Sequence, residues 1–312
     1  MYLLGFDIGG TKCAVVTADW DGKRVDVLRK EAIPTDLTVS PEKMLKRLMT
    51  LADKILEGRP ESIGISCGGP LDSNEGVILG PPNLPGWDRV EIVRIIGEHF
   101  DAPVHLQNDA NACAVAEWKF GAGRGYRNMI FLTFGTGLGA GLIIDGRLYS
   151  GTNGNAGEVG HIRLCDTGPV GFGKEGSFEG FCSGGGIAKL AWKMAKESTE
   201  PVLYYREGMT EKDVSARSVA EAAALGDKTA KEVYRVSGAY LGKGLSILID
   251  ILNPEIIVIG SVFARSGELL VDAMNSELKK ESLGASLDVC RIVPAGLGEK
   301  IGDYAAIATA LL

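Results

Sequence analysis

The chain has 312 residues, enough for two domains of ordinary size. Hydrophobic residues make up 45% and charged residues 23%, proportions that allow a globular protein to bury a core. The net charge of -7 gives no electrostatic reason to bind nucleic acid or an anionic membrane surface. No apolar run approaches the ~20 residues that cross a bilayer.

The first residues predict a strand, a glycine turn, a second strand, a hairpin turn at Asp21-Gly22 and a third strand, over YLLGFDIGGTKCAVVTADWDGKRVDVL. A helix follows, capped by Ser40 and begun by Pro41. The next stretches predict a buried strand (SIGISC), a helix (VEIVRIIGEHF), a short strand (PVHLQND) and a helix that ends on glycine (ANACAVAEWKFGAG).

The segment NMIFLTFGTGLGAGLIIDGRLY repeats the plan of the N-terminal segment, including a second hairpin turn at Asp145-Gly146. This repetition indicates a duplicated domain. Later stretches predict helices near 229–252, 267–280 and 302–312 and strands near 255–260 and 289–293. Strands that alternate with helices indicate an α/β protein.

Each copy of the repeat carries a glycine turn that favours phosphate binding. Glycine lets the backbone approach a phosphate closely, and turn N–H groups and threonine hydroxyls can donate to its oxygens. The alternative is an ordinary hairpin with permissive glycines. Neither turn has the Walker spacing, and a strand rather than a helix follows the first turn.

Two further stretches carry candidate chemistry. Asp109 lies where a strand gives way to a helix, so it is either a helix cap or a carboxylate that accepts a hydroxyl proton during phosphoryl transfer. Asn83 lies in GPPNLPGW, which is either a surface turn or a rigid presentation of an amide that reads sugar hydroxyls. Glu158 and His161 are three residues apart among glycines, and for His161 metal binding, acid–base work and sugar binding all stay open.

The motifs FDIGGTK, PNLPGW, NDANA, GTGLGAGLIIDGRLYSG and GNAGEVGH fall in the order and spacing of the ROK (repressor, open reading frame, kinase) family. The chain resembles this family, which includes bacterial glucokinases and related hexose kinases, from Leu4 to the C-terminal helix. The resemblance implies an α/β, actin-like ATPase (RNase H-like) fold that is duplicated, with ATP and sugar in a cleft between two domains. It implies a small domain at 1–115, completed by a helix at about 300–312, and a large domain at 116–299.

The resemblance also implies roles for individual residues. Asp109 corresponds to the base that takes the proton of the sugar 6-hydroxyl. The residues that correspond to ligands of the other hydroxyls are Asn83, Asn108, Glu158, His161 and Glu179. The residues that correspond to the ATP site are Asp7, which is oriented toward Mg²⁺, and Gly9, Gly10, Thr11, Lys12, Thr133, Gly135, Thr136, Gly137 and Gly260. Ser261 replaces the second residue of the family's usual triple glycine, which leaves the adenine contacts there less defined.

The function implied is an ATP-dependent hexose kinase that acts at the 6-hydroxyl, with glucose as the leading substrate. N-acetylglucosamine, mannose, fructose and allose stay open as alternatives. A DNA-binding repressor of the family is disfavoured because the first glycine turn comes at once and the chain is acidic. A non-catalytic sugar sensor is disfavoured because the base and both turns are present.

The family resemblance also implies a homodimer or a dimer of dimers. The absence of a signal-peptide pattern and the scattered cysteines lead us to expect a cytoplasmic protein.

The stretch EVGHIRLCDTGPVGFGKEGSFEG departs from the family. ROK enzymes commonly carry three cysteines here that bind a structural zinc with the preceding histidine. Val170, Phe172 and Ser177 stand at those positions, and valine and phenylalanine cannot ligate a metal. We therefore expect no structural zinc, and an apolar plug of Val170 and Phe172 in its place.

Overall fold

A computed structural model describes the whole chain, Met1–Leu312. The strands are β1 (Tyr2–Ile8), β2 (Lys12–Trp20), β3 (Val25–Pro34), β4 (Ser62–Cys67), β5 (Leu71–Asp72), β6 (Val77–Ile78), β7 (Val104–Asn108), β8 (Met129–Phe134), β9 (Leu138–Ile144), β10 (Arg147–Tyr149), β11 (Val170–Gly171), β12 (Lys174–Glu175), β13 (Ile256–Ile259) and β14 (Arg291–Pro294). The helices are α1 (Pro41–Ile55), α2 (Ile92–Phe100), α3 (Asp109–Phe120), α4 (Phe178–Phe181), α5 (Gly184–Glu197), α6 (Ala216–Ala224), α7 (Lys228–Leu252), α8 (Val262–Ser266), α9 (Val271–Glu281), α10 (Gly284–Leu287) and α11 (Ile301–Thr309).

The first sheet has the order β3-β2-β1-β4-β7. Strands β1, β2 and β3 form an antiparallel meander, whereas β4 and β7 run parallel to β1. All six residues of β4 are buried, as expected of a strand covered on both faces.

The second sheet has the order β10-β9-β8-β13-β14. Strand β9 is antiparallel to β10, whereas β13 and β14 run parallel to each other and to β8. The two sheets therefore share one plan of strands, which confirms the duplication predicted from the glycine-turn repeats.

The chain divides into two compact units. The first unit consists of Met1–Gly125, Gly141–Ala156 and Gly296–Leu312, and the second consists of Tyr126–Ala140 and Gly157–Ala295. These compact units are not domain assignments. The domain bounds predicted from the resemblance, 1–115 with about 300–312 and 116–299, therefore stay predictions.

The core of the first unit lies between its sheet and helices α1 and α2. Ser40 caps α1 as predicted, with its hydroxyl accepting from the Lys43 N–H, and Leu45 and Leu48 on its inner face are fully buried. Helix α11 packs against β1 and β4. At Gly64 a Cβ would overlap the carbonyl oxygen of Ala306, so only glycine lets the helix approach this closely.

Most predicted elements agree with the observed ones within a few residues. Helix α7 is the predicted long helix, and α9 and α11 are shorter than their predicted ranges. Helices α5 and α6 were not predicted. None of the helices combines the length and the apolar character needed to cross a membrane.

Candidate active site

Three parallel strands of the first sheet end at one edge, and candidate residues follow each of them. Ile8 of β1 lies in register with Cys67 of β4, and Cys67 lies in register with Asn108 of β7. The first glycine turn, a Gly68-Gly69 turn and Asp109 therefore begin side by side. The carboxyl edge of a parallel sheet is where α/β proteins build ligand sites.

The first glycine turn is held closed by its own backbone. The Gly9 N–H donates to the carbonyl oxygen of Lys12 at 3.2 Å, and the Thr35 hydroxyl donates to the Gly9 carbonyl oxygen at 2.6 Å. Thr11 and Lys12 are exposed. The turn thus leaves its threonine and lysine side chains accessible to a ligand.

Asn83 belongs to the same edge. A Cβ at Gly10 would overlap the Asn83 carbonyl oxygen, and the Asn83 amide lies 3.5 Å from where a Cβ of Gly68 would be. Asn83 itself is exposed, whereas Trp87 of the same loop is buried. The structure therefore brings Asn83 beside the first glycine turn, and the glycine at position 10 allows this approach.

Asp109 is the first residue of α3, and the helix cap is its neighbour. The Asn108 Oδ1 accepts from the Asn111 N–H at 2.8 Å, so Asn108 performs the capping that was one reading of Asp109. Asp109 accepts from the Ala110 N–H at 2.8 Å. Asp109 as a residue is exposed to solvent. Protein atoms nevertheless surround its carboxyl group, and this burial raises the pKa of Asp109.

Asp7, near the end of β1, adds a second carboxylate. Burial, and then the negative charge of Asp303, raise the pKa of Asp7 to about 6. The charge of Asp109 adds a smaller increase, and Lys12 and Lys30 oppose it. Asp7 and Asp109 are thus close enough to interact electrostatically.

The second glycine turn is supported by a helix that the sequence did not predict. The Gly184 and Gly185 N–H groups at the start of α5 donate to the carbonyl oxygens of Gly135 and Thr136 at 2.7 Å and 3.4 Å. The Thr133 hydroxyl accepts from the Gly139 N–H at 2.9 Å. The carbonyl oxygens of Gly135 and Thr136 therefore already accept hydrogen bonds from α5.

Glu179 lies against this second turn. Its Oε2 accepts from the Leu138 N–H at 3.0 Å and lies 2.7 Å from where a Cβ of Gly137 would be. A Cβ at Gly160 would lie 3.2 Å from the Glu179 Cβ. Glu179 therefore joins the second turn to the segment that carries Glu158 and His161, and one of its oxygens already has a partner.

His161 ends a short 3-10 turn, Val159–His161, and is exposed. Its carbonyl oxygen accepts from Lys174 Nζ at 2.7 Å, and its ring lies near that of Phe172, with 6.4 Å between ring centres. Glu158, which precedes the turn, is also exposed.

Gly260 and Ser261 follow β13, next to the second turn. The Gly260 N–H donates to the Leu132 carbonyl oxygen at 2.9 Å, and the Ser261 hydroxyl lies 3.6 Å from where a Cβ of Gly135 would be. Ser261 has a φ of 51°, a conformation that favours glycine. Ser261 thus adopts a backbone conformation that is more usual for glycine.

The predicted apolar plug of Val170 and Phe172 is wrong. Val170 is 41% exposed and Phe172 is 79% exposed. Between them, Gly171 packs against Glu179: a Cβ at position 171 would lie 2.8 Å from the Glu179 Cβ, which leaves no room for a side chain there. Ser177, at the third cysteine position, is buried and caps α4, accepting from the Gly180 N–H at 3.1 Å.

The absence of a structural zinc stays a prediction. No group of three or more His, Cys, Asp and Glu side chains in the structure could hold a metal ion. Of the cysteines nearest His161 in sequence, Cys182 is buried and donates to the Ser237 carbonyl oxygen at 3.4 Å. We expect elemental analysis to find no stoichiometric zinc and a chelator to leave the folded state intact. One zinc per chain would contradict the prediction.

Two glycine pairs were not proposed as site residues from the sequence. Gly68-Gly69 follows a buried strand, and Gly184-Gly185 opens a helix after a serine cap. A glycine pair after a buried strand was a usable signal for the first pair. Nothing local distinguishes the second pair from an ordinary helix start.

The sequence matches known proteins along nearly its whole length. Residues 3–311 match the model of the ROK family. The chain is 31% identical to a glucokinase of Streptomyces coelicolor over 96% of this chain and 94% of that protein. It is 28% identical to a xylose repressor of Caldicellulosiruptor bescii over 90% of this chain and 70% of that protein.

Solved structures agree with the sequence matches. A ROK family glucokinase from Streptomyces griseus in complex with glucose and AMPPNP aligns with a TM-score of 0.79 and 29% identity over 100% of this chain and 99% of that chain. A ROK hexokinase from Thermus thermophilus aligns with a TM-score of 0.81 and 31% identity over 100% and 98%. A ROK family transcriptional regulator, a homolog of the E. coli MLC protein, aligns with a TM-score of 0.86 and 26% identity over 99% and 78%.

These similarities confirm the predicted fold, which is the two-domain, actin-like ATPase fold of the ROK sugar kinases. The glucokinase relatives and the kinase structures also support a sugar kinase. From its motifs, its strand order and its match over residues 3–311, the chain belongs to the ROK family.

Proposed function

We propose that this protein is an ATP-dependent kinase that phosphorylates a hexose at its 6-hydroxyl, with glucose as the leading substrate. The observation that carries the proposal is the carboxyl edge of the first sheet. Asp109, Asn83 and the first glycine turn lie at this edge, and Asp109 is an exposed residue whose carboxyl has a pKa raised by burial. The glucokinase relatives support the same reaction.

Asp109 acts as the general base in this proposal. Phosphoryl transfer to a hydroxyl needs a group that accepts the hydroxyl proton, and a carboxylate with a raised pKa holds that proton better than an ordinary one. The hydrogen bond from the Ala110 N–H keeps one carboxylate oxygen oriented. The other oxygen is then the acceptor for the 6-hydroxyl proton.

Five polar side chains are assigned to the remaining hydroxyls: Asn83, Asn108, Glu158, His161 and Glu179. Because the Asn108 oxygen caps α3, its NH₂ group is the part that donates to sugar. One oxygen of Glu179 already accepts from the Leu138 N–H. We therefore assign Glu179 two roles: it supports the second turn through this oxygen and binds the sugar through the other.

ATP is bound through the two glycine turns. The first turn offers the exposed side chains of Thr11 and Lys12 to the phosphates, and the second offers the exposed Thr136. Thr133, whose hydroxyl bonds to the Gly139 backbone, completes the proposed set. In the second turn the carbonyl oxygens of Gly135 and Thr136 are occupied by N–H groups of α5, which favours an approach of phosphate from the N–H side. Gly260 lies beside the second turn and belongs to the same nucleotide site. The S. griseus glucokinase in complex with AMPPNP supports ATP as the phosphoryl donor.

Asp7 fits a magnesium ligand. Magnesium in phosphoryl-transfer sites is bound by one or two carboxylates together with substrate phosphates. The raised pKa of Asp7 reports buried negative charge, from Asp7 itself and from Asp303, that a cation would offset. When bound, magnesium would supply charge neutralisation to the phosphate oxygens, and Asp7 would hold it.

The test is a coupled assay of ADP release over a panel of glucose, N-acetylglucosamine, mannose, fructose and allose with Mg-ATP. We expect turnover with at least one hexose and the highest kcat/KM with glucose. Phosphorylation at the 6-hydroxyl is checked by NMR of the product. No turnover with any hexose contradicts the proposal.

Light scattering of the same sample, against a chain mass of 33.0 kDa, tests the proposed homodimer or dimer of dimers.

A sugar-responsive regulator is the second candidate. The transcriptional regulator that is a homolog of the MLC protein has the TM-score of 0.86, and the xylose repressor is similar over 90% of this chain. A regulator of this kind would bind sugar without turning over ATP. Sugar binding by calorimetry in the absence of any ADP release would favour this candidate over the kinase.

A further inference from the structure

An aromatic side chain stands exposed at the tip of the hairpin formed by β11 and β12. Phe172 is 79% exposed, and its φ of 41° lies in the left-handed region. That conformation is unfavourable for a bulky residue, and no glycine relieves it at this position. Gly173, the other turn residue, also has a positive φ, as a two-residue hairpin requires, so the exposed ring rather than the backbone is the feature to explain.

The hairpin contacts the segment of His161, α4 and α5. Lys174 Nζ donates to the His161 carbonyl oxygen at 2.7 Å, and Lys189 Nζ donates to the Val170 carbonyl oxygen at 2.7 Å. On its inner side, Gly171 lies so close to Glu179 that a Cβ would be 2.8 Å from the Glu179 Cβ. Phe172 is therefore held in a fixed position relative to two of the proposed hydroxyl ligands.

The rings of Phe172 and His161 face one another edge to face, with 6.4 Å between their centres and 75° between their planes. A hexopyranose has hydroxyls around its rim and C–H groups on its faces. Polar side chains such as His161 and Glu158 suit the rim, and an aromatic ring suits a face. The structure places one of each kind side by side.

We propose that Phe172 is a specificity-determining contact of the sugar site, where its ring stacks on the C–H face of a hexopyranose whose hydroxyls are bound by His161. The inference rests on the proposed sugar-kinase function and deepens it. Stacking favours pyranoses whose ring hydroxyls are equatorial, as in glucose and N-acetylglucosamine. An axial hydroxyl, as in mannose or allose, puts a polar group on one face, and fructose in its furanose form lacks that face.

Phe172→Gly is the sharpest test, because glycine removes the ring and also suits the left-handed backbone. We expect the KM for glucose to rise about 2- to 12-fold, the usual effect of a lost aromatic contact, with kcat and the KM for ATP unchanged. Calorimetry with glucose alone should show the same loss of affinity. Phe172→Trp should keep the affinity, and Val170→Ala, an exposed change in the same hairpin, should have no effect.

Thermal unfolding of Phe172→Gly should show a Tm no lower than that of the wild type, which excludes misfolding as the cause. An unchanged KM for glucose in Phe172→Gly, with an active wild type, overturns the inference alone. A changed oligomeric state by light scattering with an unchanged KM also overturns it, because the ring would then contact a second copy of the chain. Inactivity of the wild type with every hexose overturns the proposed function instead.

Discussion

Asp109→Asn should lower kcat by about 10²- to 10⁴-fold, the usual range for the loss of a general base. The amide cannot accept the hydroxyl proton, but it keeps an oxygen for the Ala110 N–H. Helix α3 stays capped by Asn108 in the variant, so its start is not disturbed. The KM for sugar should therefore change far less than kcat. The measurement is steady-state kinetics of the purified variant with Mg-ATP.

The stability of this variant separates a catalytic role from a structural one. Because burial raises the pKa of Asp109, its charged form is disfavoured in the folded state, and removing the charge should not lower the free energy of unfolding. Asp26→Asn is the matched control, an exposed carboxylate on β3 of the same unit, and should leave kcat unchanged. A kcat near the wild-type value in Asp109→Asn would contradict the assignment of the base.

The pH profile gives an independent readout. A base must be deprotonated to act, so kcat/KM should fall as pH drops through the pKa of Asp109, which lies above the ordinary aspartate value. In Asp109→Asn this acid limb should disappear from the residual activity. An acid limb that persists unchanged in Asp109→Asn would contradict the assignment of Asp109 as the base.

Glu117→Ala should lower the free energy of unfolding by about 2–4 kcal/mol. The Glu117 side chain in α3 is fully buried and accepts three backbone N–H groups. They come from Ala122 at 2.8 Å, Gly296 at 3.1 Å and Leu297 at 2.9 Å. Alanine leaves these donors without their acceptor and leaves a cavity.

Urea unfolding measures this change as a lower midpoint with an unchanged slope. Glu117→Gln keeps the volume and one acceptor oxygen, so its loss should be smaller than that of Glu117→Ala. Glu98→Ala is the control, because that side chain is 64% exposed and pairs only with Arg94 at the surface. If Glu117→Ala costs no more than Glu98→Ala, the three hydrogen bonds do not stabilise the fold.

Much of the candidate site could be predicted because its signals are local. Both glycine turns lie between strands in the predicted places, and Asp109 begins a helix directly after a strand. Strand periodicity and turn residues depend on neighbours in sequence, so they can be recognised without knowledge of the rest of the chain. The cap of α3 was the exception, since either Asn108 or Asp109 has a suitable side chain.

The sequence by itself determined the α/β class, the duplicated plan and the candidate residues, because hydrophobic periods and glycine turns are properties of short stretches. Only the tertiary structure decided what those stretches contact. Ser62 donates to the carbonyl oxygen of Ala310, 248 positions away, and Glu117 accepts from Leu297, 180 positions away. The close approach of Gly171 to Glu179 and the exposure of Phe172 next to it are likewise decided only in the folded chain. Such contacts depend on close packing between distant segments, and no local pattern encodes that packing.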